Sequence, residues 1–206
     1  MLFSKSLIAS ALLVASLAVA SVSAAATPSS AGTVEMATKE SSAPKRMRSP
    51  RMRDSRKSSI NIRNEKTIAI VDKRRFCMFL PPAPGDEVAP TEELARAFCM
   101  GKGIKSPNTI PKGFIRSALY QEDRENGFVQ VTGEFNRGAY NLSATDGGGQ
   151  YDSKNVRGST CRGFPYFVSL VEPDVERYCT RCCKNKVDCP VNKSHLGCPA
   201  VIPVLP

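Results

Sequence analysis

The chain has 206 residues, 29 Lys and Arg against 19 Asp and Glu for a net charge of +10, eight cysteines, one histidine and no tryptophan. That length suits one modest domain with appendages, and a lone histidine leaves imidazole-based triads a single candidate, His195, which in the polar stretch "NKSHLGC" reads as a surface-loop residue. The charge is uneven: residues 27–75 hold 13 Lys and Arg against 5 Asp and Glu, a net +8, while from Phe76 onward the balance is 15 against 14.

Residues 1–24 read as a secretory signal peptide: Lys5 is the basic start, Leu7 to Val22 is apolar, and Val22-Ser23-Ala24 is a small-residue cleavage site. No later stretch is long and apolar enough to span a bilayer, so the expectation is secretion, with cell-wall association as an option and no stable membrane insertion. Residues 25–75 form a basic segment with no aromatic residue and abundant Ser, Pro and Arg, a composition that predicts disorder. Lys73-Arg74-Arg75 at its end is a candidate processing site for a dibasic protease, with Lys45-Arg46 and Arg56-Lys57 as weaker ones. The segment is read either as a removable pro-region or as a retained cationic arm. Nucleic-acid binding is not expected, because the arm has no aromatics to stack on bases.

Residues 76–206 are expected to be a disulfide-rich globular domain of α+β class, dominated by strands and turns, with one or two short helices. All eight cysteines lie here: Cys77, Cys99, Cys161, Cys179, Cys182, Cys183, Cys189 and Cys198. In an oxidising compartment an even count predicts four bridges. Cys182 and Cys183 should take different partners, since bridging neighbours strains the peptide between them. The competing zinc reading of Cys179-x-x-Cys182 belongs to a reducing interior.

In chain order, "PTEELARAFCMG" predicts a helix capped by Thr91 and stopped by Gly101, with Leu94, Ala97 and Phe98 on one face. "GFVQVTGEF" alternates as a half-buried strand. Residues 136–160, with three glycines at 147–149, read as a long excursion holding one short strand at Gln150-Tyr151. "GFPYFVSLVEP" is apolar on both faces, as a central strand is, with Pro165 at its start. "EPDVERYCTRCCK" predicts a second helix, Val175, Tyr178, Cys179 and Cys182 falling at i, i+3, i+4 and i+7. Asn141-Leu142-Ser143 and Asn192-Lys193-Ser194 are N-glycosylation acceptors, Asn141 the less crowded of the two.

The stretches "FCMFLPP", "FVQVTG", "DGGGQYDS" and "RYCTRCC…DCP…GCPAVIP" resemble a family of small, mostly uncharacterised, secreted cysteine-rich fungal proteins, some of them extracellular glycoproteins. The resemblance covers about residues 76–203. It implies secretion, disulfides and glycosylation, and carries no catalytic residue.

The chemistry-bearing candidate is "TDGGGQYDS". Gln150, Tyr151 and Asp152 are candidate binding residues for a sugar, and Asp146, Asp152 and Glu172 are candidate acids for a carbohydrate-active hydrolase or lyase. The bland alternative is a tight bend whose acids cap neighbouring amides. The leading expectation is a non-enzymatic, monomeric binding glycoprotein with no cofactor and no metal. It would present the 136–160 loops to an extracellular polysaccharide or protein surface. Two carboxylates converging in one cleft would favour the enzyme.

Overall fold

The computed structural model describes residues 59–206; the stretch read as a signal peptide and most of the basic segment lie outside the described residues. Thirteen strands are formed: β1 (Ile60–Asn61), β2 (Thr67–Ile68), β3 (Ile70–Asp72), β4 (Arg75–Leu80), β5 (Arg96–Met100), β6 (Ile104–Lys105), β7 (Asn108–Thr109), β8 (Leu119–Asp123), β9 (Phe128–Glu134), β10 (Gly149–Asp152), β11 (Thr160–Cys161), β12 (Tyr166–Glu172) and β13 (Arg177–Cys183). The α-helix among the described residues is confined to one four-residue turn, α1 (Cys198–Val201), so their fold is mostly β rather than α+β. Among the described residues no helix is long and apolar enough to cross a membrane.

Two sheets carry the architecture. One has the order β10-β12-β13-β9-β8, all antiparallel; the other has the order β3-β4-β5-β7. They pack through aromatic residues: Phe76 stacks on Tyr178 with centroids 5.8 Å apart, and Phe79 lies 5.4 Å from Phe167 and 5.8 Å from Tyr151. Strand β4 is central to this core, Phe76 to Leu80 being fully buried.

Both predicted helices are strands. Residues 89–94 make only a 3-10 turn, which ends where Ala95 turns extended at ψ 145°, and the chain then runs into β5. There Cys99 lies directly opposite Cys77, which it bridges. In the second case Glu176 adopts φ 51°, a left-handed conformation that ends any helix and makes the turn between β12 and β13. Strand β13 is flanked by β12 and β9 and buried on both faces, so its sequence shows no alternation and its helical spacing is accidental. Val175, expected on the apolar stripe, is 55% exposed.

The strands at 127–135 and 163–173 and the short one at Gln150-Tyr151 are found as β9, β12 and β10. All four bridges form: Cys77–Cys99, Cys161–Cys182, Cys179–Cys198 and Cys183–Cys189. Successive residues of a strand point to opposite faces, which is why the adjacent Cys182 and Cys183 have partners on opposite sides of the sheet.

The boundary expected at Phe76 lies inside the fold. Strand β2 pairs with β11, β3 pairs with β4, Cys77 N–H donates to Ala69 O at 2.8 Å, and Ile62, Ile68 and Ala69 are buried. Lys73 and Arg74 form the turn of the β3–β4 hairpin. Asp72 holds that turn, its Oδ1 accepting from Arg74 N–H at 2.8 Å and its Oδ2 pairing with the Arg75 guanidinium. Burial works against ionisation of Asp72, but the Arg74 amide and the Arg75 charge prevail and hold its carboxyl below the usual range. A cut after Arg75 would strip three buried side chains from the core, because no cysteine ties residues 59–75 to the rest.

The outer face of the five-stranded sheet is covered by the C-terminal segment, 184–206. Cys179–Cys198 and Cys183–Cys189 pin it, and its Val201 and Ile202 share one apolar cluster with Phe128, Val168 and Leu170 of the sheet. A row of long polar side chains crosses this face, Asp152, Arg181, Gln130 and Gln121 occupying one register line. Arg181 Nη1 donates to Asp188 O at 3.0 Å, Gln130 Nε2 to Pro203 O at 3.0 Å, and Gln121 exchanges two bonds with the Leu205 backbone, each 3.0 Å. Arg181 also donates to Gln130 Oε1 at 2.8 Å and stands 4.2 Å above the Phe128 ring. Side chains here do what a further strand would do.

Candidate functional site

A polar cleft of about 480 Å³ opens at the end of β10 and β12. The 3-10 turn 89–94 contributes Glu92, the glycine run 147–149 forms one wall, and β12 contributes Leu170 and Glu172. Asp174 comes from the β12–β13 turn, Arg177 from the start of β13, and His195 from the loop pinned by Cys198. The glycines are there for closeness. At Gly148, φ is 85° and a Cβ would collide with Val171 O, while a Cβ at Gly149 would press on Glu92 Oε1 and Val88.

Most of the carboxylates at this end brace backbone. Asp146, 9% exposed, accepts from Val88 N–H through Oδ2 at 2.9 Å and from Gly148 N–H through Oδ1 at 2.8 Å. Asp152, 4% exposed, accepts from Lys154 N–H at 2.6 Å and from Gln150 Nε2 at 2.7 Å. Neither lines the cleft. Glu172 does, but Oε1 accepts from Cys198 N–H at 3.1 Å and Oε2 from Arg177 Nε at 2.7 Å. The three acids singled out by sequence therefore do not converge; Glu172 alone reaches the cleft.

Strand β10 is the edge of its sheet, and two side chains close that edge. Glu92 Oε1 accepts from Gln150 N–H and Asn155 Oδ1 from Asp152 N–H, at 2.9 and 2.8 Å. Asn155 Nδ2 returns bonds to Gln150 O and to Glu92 Oε2. An unpaired edge invites other strands, and this one is occupied. Burial, and after it the nearby Asp152 charge, raise the Glu92 carboxyl above its ordinary value although both hydrogen bonds oppose the shift.

Of the candidate binding residues, only Gln150 lines the cleft. Tyr151 is fully buried against Phe79, its hydroxyl has no partner and burial raises its pKa, so it belongs to the core. Asp152 is a brace. The 136–160 excursion is likewise built into the fold: Tyr140, Leu142, Tyr151 and Val156 are buried, and Tyr140 donates to Pro81 O at 2.9 Å. Sequence reasoning missed Glu92, placed in a helix, and Arg177, and it left His195 in a surface loop. His195 is indeed exposed, and it sits at the cleft because Cys179–Cys198 draws its loop there. No local signal joins Glu92 to Gln150, 58 residues away.

Asn141 and Asn192 are both exposed. Among the described residues no group of three His, Cys, Asp or Glu side chains is close enough to share a metal ion. A second cavity, about 550 Å³ and largely apolar, lies between the ends of β8 and β9 and the C-terminal segment, lined by Leu119, Tyr178, Ile202 and Val204 among others. Comparison with family models, curated proteins and solved structures gives no match.

Proposed function

We propose that the protein is a secreted, non-enzymatic binding glycoprotein that takes a polar extracellular ligand, wall polysaccharide foremost, into the cleft at the end of β10 and β12. The observation that supports this reading is that the cleft is bounded by braced elements while its acids are engaged in holding backbone. Such a site is preformed for recognition and short of free catalytic groups. The size of the cleft falls within the range of small-ligand sites. Glycans at Asn141 and Asn192, and the resemblance to secreted cysteine-rich fungal proteins, fit the same setting. If the basic segment is removed, the cut belongs before Ile60, with Arg56-Lys57 a better candidate than Lys73-Arg74-Arg75. N-terminal sequencing of secreted material that reports Phe76 would contradict this.

The test is a pull-down on a panel of wall polysaccharides, followed by resonance mapping with the retained fragment. Shifts are expected at Gly147 to Gln150 and at His195. A retained polysaccharide whose shifts cluster at the apolar cavity or on the β3–β4 hairpin would overturn the reading.

A second reading, a carbohydrate-active hydrolase, draws on one observation. Glu92, with its raised pKa, shares a cleft with Glu172, which faces Arg177, and two carboxyls in such different surroundings suit acid–base work. Release of reducing ends that disappears in both Glu92→Gln and Glu172→Gln would establish it.

A further inference from the structure

The two main sheets end in four edge strands, and three of them are closed to a further strand. β10 is capped by Glu92 and Asn155, β7 is two residues long, and β3 is three residues long with a break in its register. β8 has none of these protections. It runs for five residues in unbroken register with β9 and holds neither proline nor lysine. Bonds at its two ends show how its backbone is turned. Ser117 N–H donates to Glu134 O at 3.2 Å and Gly127 N–H to Asp123 O at 2.9 Å, so the odd-numbered residues face β9. The N–H and C=O groups of Ala118, Tyr120 and Glu122 point the other way, and among the described residues none of them has a hydrogen-bond partner.

The side chains along this edge suit one kind of neighbour. Leu119, 46% exposed, shares the wall of the apolar cavity with Val204, 59% exposed, and Tyr120 is half-buried on the opposite face. Arg116 precedes the strand, while Glu122 and Asp123 end it. A parallel neighbour of the same sequence would set acid beside acid. An antiparallel one sets Tyr120 opposite the partner's Tyr120, Glu122 opposite the partner's Ala118 and Asp123 opposite the partner's Ser117. The partner's Arg116 then lies on the diagonal from Glu122, within reach of its carboxylate. In that register Ala118, Tyr120 and Glu122 exchange N–H···O=C bonds with the same three residues of the other copy, and every free group of the edge is satisfied. We infer that the protein pairs with a second copy of itself, β8 against β8 about a two-fold axis through Tyr120, joining two sheets into one. The contact is small, so the association is of the weak, reversible class.

The experiment takes the intact secreted protein from low to high micromolar concentration and reads sedimentation velocity together with amide hydrogen exchange. The weight-average mass is expected to rise toward that of a dimer. Over the same range exchange at the Ala118, Tyr120 and Glu122 amides should slow about tenfold, while the β4 amides stay as they are. Ala118→Pro and Glu122→Pro each remove an outward N–H and set a ring on the edge without losing a bond to β9. Each should weaken association about tenfold or more. Leu94→Glu, at an exposed apolar residue of the turn that caps the opposite edge of the sheet, should leave it unchanged. The fold of each variant is checked by the absence of alkylatable thiols.

Association that survives both proline variants, or that falls equally in Leu94→Glu, overturns the inference, since the contact then lies elsewhere. Association without slowing at the three amides overturns it too. Slow exchange at those amides in dilute monomer would mean that the edge is filled within one chain. A monomer at every concentration with fast exchange there would leave the edge to a strand of another protein. Either result sinks self-pairing.

Discussion

The two faces of the five-stranded sheet are made by the same strands and held by different physics. On the inner face Tyr151, Phe167, Val171, Tyr178 and Val131 meet the aromatic side chains of β4, and burial of apolar surface binds the two layers. On the outer face a smaller apolar cluster, from Phe128 and Val168 to Leu170 and Ile202, shares the work with other contacts. Two disulfides and a line of side-chain-to-backbone hydrogen bonds hold the C-terminal segment in place. The difference teaches that a segment with little regular structure of its own can cover a sheet if the sheet supplies the hydrogen-bond partners and sulfur supplies the anchors. It also places the cleft, which opens where the covering segment meets the end of the sheet.

The contrast can be broken first where it predicts most. Phe79→Ala removes a fully buried ring that meets both Tyr151 and Phe167, and should cost about 3–5 kcal/mol in denaturant unfolding with the slope unchanged. Replacing both Cys179 and Cys198 by alanine reopens a loop spanning 19 residues and should cost about 2–4 kcal/mol. Hydrogen exchange sharpens that case. The Cys198 and Leu205 amides should lose protection while those of β4 keep theirs, and equal loss on both faces would mean that the covering segment is not a separate unit.

Gln130→Ala is smaller, at about 1–3 kcal/mol, for it strands Pro203 O and an Arg181 donor under the covering segment. The smallest effect is the pH response of Glu92. Its folded pKa is raised, so between the ordinary glutamate value and the raised one the native state holds more protons than the unfolded state. Stability therefore falls as pH rises through that window. Glu92→Gln should flatten the fall seen in unfolding midpoints, and an unchanged slope would mean that the carboxyl is not buried as described.

Legibility in the sequence followed the kind of signal each region carries. The eight cysteines, the strand at 128–134 and the apolar strand at 166–172 were readable, because count, alternation and length were sufficient signals. Strand β13 was not. A strand buried on both faces loses its alternation, and Tyr178, Cys179 and Cys182 fall at helical spacing by coincidence. The boundary at Phe76 failed for another reason. Composition averaged residues 60–72 with the basic run before them and hid Ile62, Ile68 and Ala69, which are core. At the site, Gln150 was named for the glycine run beside it and Glu172 as an acid next to Pro173. Glu92, Arg177 and His195 needed tertiary pairing to be seen.

The doublet Cys182-Cys183 couples the two faces through one peptide bond, the first thiol reaching inward to Cys161 and the second outward to Cys189. Deleting a single amino acid from β13 ahead of the doublet would exchange those directions and leave each sulfur facing the wrong mate. Oxidation can therefore seal only a correctly aligned β13, and the doublet acts as a proofreader for the frame in which the chain is threaded.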